Sequence, residues 1–163
     1  MKTTDTSKIP FFHNFIATGF GSGYSPVAPG TAGALVATLI WWGYSAALND
    51  YISTLSITAI LIIVFTVLGV WSSGVSEKYW GEDPSRVVVD EMVGTWIALL
   101  AVPENGHWGY MIAAFALFRF FDILKPLGIR KMEKLPGGYG IMADDILSGI
   151  YGMIVIFIFR LLV

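Results

Sequence analysis

Thr54–Trp71 reads TLSITAILIIVFTVLGVW, about 18 residues without one charge. At about 1.5 Å per residue, a helix of this length nearly matches the ~30 Å hydrocarbon core of a bilayer. Upstream, Thr31–Leu48 (TAGALVATLIWWGYSAAL) is a second uncharged run of about 18 residues, parted from the first by a short polar break at Asn49-Asp50. Pro29-Gly30 precedes it, so a helix start at Thr31 is expected. Downstream, Ser72-Ser73-Gly74 is expected to loosen the helix end, and the Glu77–Glu91 stretch carries seven charges. Three more apolar runs follow: Met92–Val102, Trp108–Phe121 and Ile146–Val163.

Composition agrees with a lipid solvent. Hydrophobic residues make up 55 % of the 163-residue chain and charged ones only 13 %, with a mean hydropathy of +0.68. Soluble domains carry about 25 % charged residues. The length suits a single membrane-embedded domain over 1–163, with 1–14 as an N-terminal arm. The net charge of −2 and the lack of a basic stripe give no footprint for nucleic acid. With no cysteine, the chain has no disulfide framework, thiolate metal site or cysteine nucleophile. The first ten residues lack a signal peptide's apolar core, so the spans are expected to act as their own insertion signals.

The runs at Met92–Val102 and Trp108–Phe121 are short for spans. They form either a re-entrant hairpin or helices whose inner ends include Asp90, Glu91, Arg119 and Asp122. The second reading is preferred, because it places charges in the bundle interior. The expected fold class is therefore all-α: an integral membrane bundle of about five short transmembrane or partly re-entrant helices. Alternating the loops of five spans puts nine of the ten Lys and Arg residues on one side. The positive-inside rule makes that side cytoplasmic. Arg160 is the exception, and Lys2, Lys8 and Lys78 read as topology alone.

Three segments bring unusual residues to this face. Phe20–Gly33 (FGSGYSPVAPGTAG) holds four glycines and two prolines, which disfavours a regular helix. Such a loop either offers backbone N–H groups to an anion, with Thr31 at a helix N-terminus, or is a plain connector. Val87–Gly94 (VVVDEMVG) carries Asp90 and Glu91 where a loop enters an apolar helix. One of them is explained by N-capping, the pair less well. In Phe118–Asp145, Arg119, Asp122 and Lys125 recur every third residue, on roughly one side of a helix. A mutually paired Arg–Asp stripe is the alternative to a site there. Asp144-Asp145 are expected to open the last helix.

Asp90, Glu91, Asp122, Asp144 and Asp145 would repel one another unless neutralised or protonated. Oxygen-only ligands suit Mg²⁺, with Mn²⁺ as the alternative. The five carboxylates are therefore the expected metal ligands and catalytic groups. Arg119, Lys125 and Arg130, with Thr31, are the expected phosphate contacts. His13 and His107 are poor metal candidates, one in the arm and one in the opposite loop. Tyr24, Trp80 and Tyr139 are expected at headgroup level. This set points to phosphoryl chemistry on a lipid headgroup, the metal polarising the phosphoryl group and activating water.

The set FGSGYSPVAPGTAG, EDPSRVVVDEMVG and FRFFDILKPLGIRKMEKLPGGYGIMADD, in this order and spacing, resembles the phosphatidylglycerophosphatase A family from about Phe15 onward. The resemblance implies a Mg²⁺-dependent enzyme of the bacterial inner membrane, multi-pass, with its site facing the cytoplasm. It implies release of the terminal phosphate of phosphatidylglycerophosphate to give phosphatidylglycerol. Asp90, Glu91, Arg119, Asp122, Lys125, Arg130, Asp144 and Asp145 fall on the motif positions. The chain departs at Leu127-Gly128, where a second proline is expected before Ile129.

Other phosphatase plans lack their residues: no cysteine, no Asp-x-Asp, and two histidines placed apart. The spaced acidic pattern of a CDP-alcohol transferase is missing too. The rival from another class is a small cation or proton carrier, which predicts acids distributed across the bilayer. A further reading is a structural subunit whose charged stripe pairs with a partner helix.

Overall fold

The structure, a computed structural model, describes residues 8–162 apart from 105 and 107; Lys2 and His107 therefore lie outside it. Among the described residues all regular structure is helical: α1 (Phe11–Ala17), α2 (Pro29–Leu48), α3 (Tyr51–Trp80), α4 (Val89–Leu99), α5 (Trp108–Leu124), α6 (Ile129–Met132) and α7 (Gly138–Leu162), with a 3₁₀ turn at Ser22–Tyr24. Three helices are long and apolar enough to cross a membrane: α2 with 20 residues, α3 with 30 and α7 with 25. At 11 and 17 residues, α4 and α5 fall short of that length. Both do include the charged ends expected of them, Asp90 and Glu91 in α4 and Arg119 and Asp122 in α5.

The shortness of α4 has a physical reason. Every residue of it except Glu91 is buried, with α2, α3, α5 and α7 packed around it. An apolar run of this length is more often a core helix than a span. Trp96 anchors it, donating its indole N–H to the Ala37 carbonyl at 3.0 Å. At its far end, the Arg160 guanidinium donates to the Ala101 carbonyl at 2.9 Å. Arg160 thus satisfies a carbonyl just past a helix C-terminus, which accounts for the one basic residue on the opposite side.

Several helix ends differ from those expected. α2 begins at Pro29 rather than Thr31, using proline's fixed φ at the first helical position. α3 does not loosen at Ser72-Ser73-Gly74 but continues to Trp80. All three serines of its last turns, Ser72, Ser73 and Ser76, are buried. Ser76 donates to the Ser72 carbonyl at 2.8 Å, so these small residues form a packing face inside the helix. α7 begins at Gly138, not at Asp144, which places both acids inside it. Asp90 does not cap α4; the N-cap residue is Val88, and Asp90 and Glu91 occupy the first turn. The cap of α3, by contrast, is Asp50, which accepts from the Ser53 N–H at 2.7 Å. Hydrogen bonding from Ser53 holds its carboxyl below the usual range.

Five elements meet at one end of the bundle: the starts of α2, α4 and α7 and the ends of α3 and α5. The opposite end carries a cleft of about 480 Å³ lined by Trp41, Trp42 and Trp108 around Asp50 and Glu104.

Candidate active site

The five-element end encloses a cavity of about 520 Å³. Asp90, Glu91, Asp122, Asp144, Asp145, Arg119 and Lys125 all line it. The starts of α2, α4 and α7 point toward it, so three sets of orphan N–H groups and dipole ends favour an anion there.

The carboxylates form two overlapping groups. One oxygen each from Asp90, Glu91 and Asp145 lie within 4.8 Å of one another, and so do oxygens of Asp122, Asp144 and Asp145. Asp145 belongs to both. Asp90, Asp122, Asp144 and Asp145 are buried, at 8 %, 8 %, 5 % and 2 % exposure. Their positions follow from helix geometry. Asp90 and Glu91 open α4, Asp144 and Asp145 lie one to two turns into α7, and Asp122 is one turn after the buried Phe118 on α5.

Two cations pair with these acids, and Lys134 also lines the cavity. Arg119 donates to Asp122 at 2.6 Å and lies 4.0 Å from Glu91. The paired stripe weighed from the sequence is therefore present, and it sits inside the cavity. Lys125 donates to Asp144 at 2.5 Å and to Glu133 at 2.7 Å. Burial by itself would lower its pKa, but the bonds to Asp144 and Glu133 outweigh that and raise it, so the amine is charged. Lys125 follows the end of α5 with φ +45°, an uncommon conformation for a residue with a side chain. Its N–H closes the helix on the Phe121 carbonyl at 2.8 Å.

These pairs leave acids over. Asp90 Oδ1, Glu91 Oε2 and Asp144 Oδ1 are buried without a hydrogen-bond partner, as is the Arg119 Nε–H. Buried polar atoms in native proteins are nearly always satisfied, so these four call for a ligand. Oxygen-only acceptors clustered beside excess negative charge fit a hard divalent cation, and an unpaired guanidinium N–H fits an anion.

Two expected contacts are not in this cavity. Arg130 is exposed on α6 and does not line it. Just before it, Leu127 and Gly128 have φ +52° and +93°, and proline, fixed near −65°, could adopt neither. Thr31 is half-buried in the first turn of α2 but does not line the cavity; Ala28, Pro29 and Gly30 do. A Cβ on Gly30 would strike the Glu91 carboxylate and come within 3.2 Å of Arg119 Nη1. That helix start therefore meets the site by its bare backbone.

Sequence reasoning missed Glu133, which shares Lys125, and Glu77, Glu82 and Asp83, which line the cavity. The acids sit in polar stretches where a carboxylate gives no signal of its own. The proline–glycine pair at Pro29-Gly30 did carry one. Tyr24, Trp80 and Tyr139 all lie in segments at this end of the bundle. His13 lies outside the cavity, on α1, with Nδ1 3.3 Å from Ser72 Oγ.

The family model described as Phosphatidylglycerophosphatase A matches residues 15–160. A Bacteroides thetaiotaomicron protein named "Putative phosphatidylinositol-3-phosphatase" is 58 % identical over 92 % of this chain and 94 % of its own. A Haemophilus influenzae phosphatidylglycerophosphatase A is 42 % identical over 88 % of this chain and 86 % of its own. The Escherichia coli protein of that name is 36 % identical over 84 % and 77 %. No solved structure is significantly similar.

Proposed function

The chain belongs to the phosphatidylglycerophosphatase A family, whose members are phosphoric monoester hydrolases, and from that premise we propose that it hydrolyses the terminal phosphomonoester of phosphatidylglycerophosphate with Mg²⁺, at the cytoplasmic face of a bacterial inner membrane. The observation that carries this reading is the set of buried, unpaired carboxylate oxygens beside Arg119 and Lys125 in one cavity. The orientation rests on the basic loops that share the cavity's end of the bundle.

Water adds to phosphorus, the bond to the glycerol oxygen breaks, and phosphate and phosphatidylglycerol leave. Asp90, Glu91, Asp122, Asp144 and Asp145 would hold Mg²⁺; Mn²⁺ suits the same donors. When bound, the metal neutralises phosphoryl oxygens and makes water more acidic. Arg119 orients the phosphoryl group through its free Nε–H, and Lys125 supplies a point charge beside it. One cluster carboxylate takes the proton of the attacking water, and the ester oxygen leaves with a proton from solvent or a neighbouring acid. Grouping all five acids at one end counts against a carrier, which needs them along a path through the bilayer.

The relative named for phosphatidylinositol 3-phosphate supports a second substrate of the same chemistry, a phosphate monoester on a lipid-linked polyol. Phosphate release from both lipids in detergent, with Mg²⁺ or excess chelator, separates them. Release from phosphatidylglycerophosphate that stops with chelator supports the proposal. Release from the inositol lipid alone moves the substrate, and release that is indifferent to chelator removes the metal.

The exposed position of Arg130 gives a contrast. Arg130→Ala is expected to keep kcat/KM within about threefold, since a surface charge contributes little. Lys125→Ala is expected to lower it roughly a hundredfold, the scale of one preorganised charge on the reacting group. Equal losses in the two variants would bring Arg130 into the site.

A further inference from the structure

On the outside of the bundle, α5 and α7 leave an apolar groove of about 510 Å³ lined by Gly109, Tyr110, Ala113, Leu117, Val155 and Phe159, with Ile156 behind. It offers no polar group of consequence, and Tyr110 and Phe159 face each other across its far end with ring centroids 6.4 Å apart. The two helices that build it also carry Arg119, Asp122, Asp144 and Asp145, and Lys125 directly follows α5. Between the Lys125–Asp144 pair and the groove, the seam is paved by Phe121 and Tyr151, rings 5.6 Å apart. The Tyr151 hydroxyl donates to the Leu127 carbonyl at 3.1 Å, which fixes that ring.

Depth decides what fits. Leu117 and Gly109 precede Lys125 by eight and sixteen residues, about 12 and 24 Å along a helix. One leaflet of hydrocarbon is about 15 Å thick, half of the ~30 Å core. A bilayer is about 40–45 Å thick with its headgroups, so a lipid phosphate at Lys125 lies roughly 20 Å from the midplane, and the end of its acyl chain comes level with the half of the groove nearer Leu117.

We propose that this groove binds an acyl chain of the lipid whose phosphate occupies the cavity, so that chain and headgroup are held together by the α5–α7 seam. The inference rests on the lipid-phosphatase reading above. It adds to that reading the place on the protein that an acyl chain of the substrate occupies. Its consequence is that chain length and a phosphate headgroup act together on binding.

The test uses the full chain in detergent and phosphatidate carrying a photoreactive diazirine at the end of one palmitoyl chain, without Mg²⁺. The comparison lipid is phosphatidylcholine with the same chain. Adducts mapped to residues 109–117 and 155–159, several-fold stronger for phosphatidate and displaced by unlabelled phosphatidylglycerophosphate, are the expected result. Ala113→Trp, which fills the groove, should remove them, and the wild-type comparison stands even if that variant does not fold. Equal labelling by both headgroups would mean bulk lipid only and would overturn the proposal. So would adducts elsewhere, or a groove protected by a second copy seen by native mass spectrometry. Labelling without any hydrolysis in Mg²⁺ would sink the catalytic reading and leave the groove standing.

Discussion

Asp145→Asn is expected to reduce phosphate release at least about a hundredfold while leaving the folded protein intact. Asp145 belongs to both carboxylate groups, with oxygens within 4.8 Å of Asp90 and Glu91 on one side and of Asp122 and Asp144 on the other. Losing its charge weakens both groups at once, whereas Asp122→Asn weakens one of them and breaks the pair with Arg119. The amide keeps the size of the carboxylate, so packing at this 2 %-exposed position is preserved. The stability signature separates a ligand from a structural acid. Nine carboxylates line the cavity against three cations, Arg119, Lys125 and Lys134, so removing one charge relieves repulsion in the metal-free protein. In chelator, Asp145→Asn should melt at or above the wild-type temperature. With saturating Mg²⁺ the wild type should gain stability as RT ln(1 + [L]/Kd), about 2.7 kcal/mol at a hundredfold excess over Kd, and the variant should gain little. A variant that melts well below wild type in chelator would mean that Asp145 holds the fold together instead.

The same residues show how far a sequence reading reaches. Runs without charge identify helices in lipid, because each charge at mid-bilayer costs a few kcal/mol and few are kept without a use. Asp90, Glu91, Asp122, Asp144 and Asp145 stood out for that reason, and all five line one cavity. The pairing of Arg119 with Asp122, weighed as the alternative to a site, was legible from their i,i+3 spacing, one helical turn. Boundaries were not. Serine and glycine read as breaks in water, but between membrane helices they are the residues that permit close packing. α3 accordingly runs through Ser72-Ser73-Gly74, and α7 takes in Gly138 and Gly140. Arg130 was expected from its motif position and Thr31 from its place at a helix N-terminus. Their places depend on backbone torsions after Lys125 and on the rotation of α2, and neither leaves a periodic trace. Glu133 reaches Lys125 across a turn for the same reason.

The second large effect lies away from any charge. Gly149→Val is expected to destabilise the bundle by about 3 kcal/mol or more and to abolish phosphate release even where folded protein remains. A Cβ at Gly149 would run into the Gly94 carbonyl oxygen and lie 3.0 Å from its Cα and carbonyl carbon. These are backbone atoms, so no side-chain rotation relieves the clash. The backbone of α4 cannot retreat, because the helix is buried among α2, α3 and α5. Overpacking a well-packed core typically costs about 1–3 kcal/mol and occasionally more, and a clash between two helix backbones lies at the upper end or beyond. The position couples directly to the site. Gly149 is one turn after Asp145, and Gly94 is one turn after Asp90. The glycine contact therefore sets how closely the acids of α7 approach those of α4, and widening it by a methyl group separates the oxygens that now lie within 4.8 Å. Gly43→Val is the matched control, since a Cβ at Gly43 on α2 meets nothing within 4 Å. Thermal unfolding in detergent should show a drop of several degrees or more for Gly149→Val and almost none for Gly43→Val. Mg²⁺-dependent stabilisation should fall with the first variant and persist in the second. If Gly149→Val retained both stability and metal response, the close crossing of α4 and α7 would not be what assembles the carboxylates.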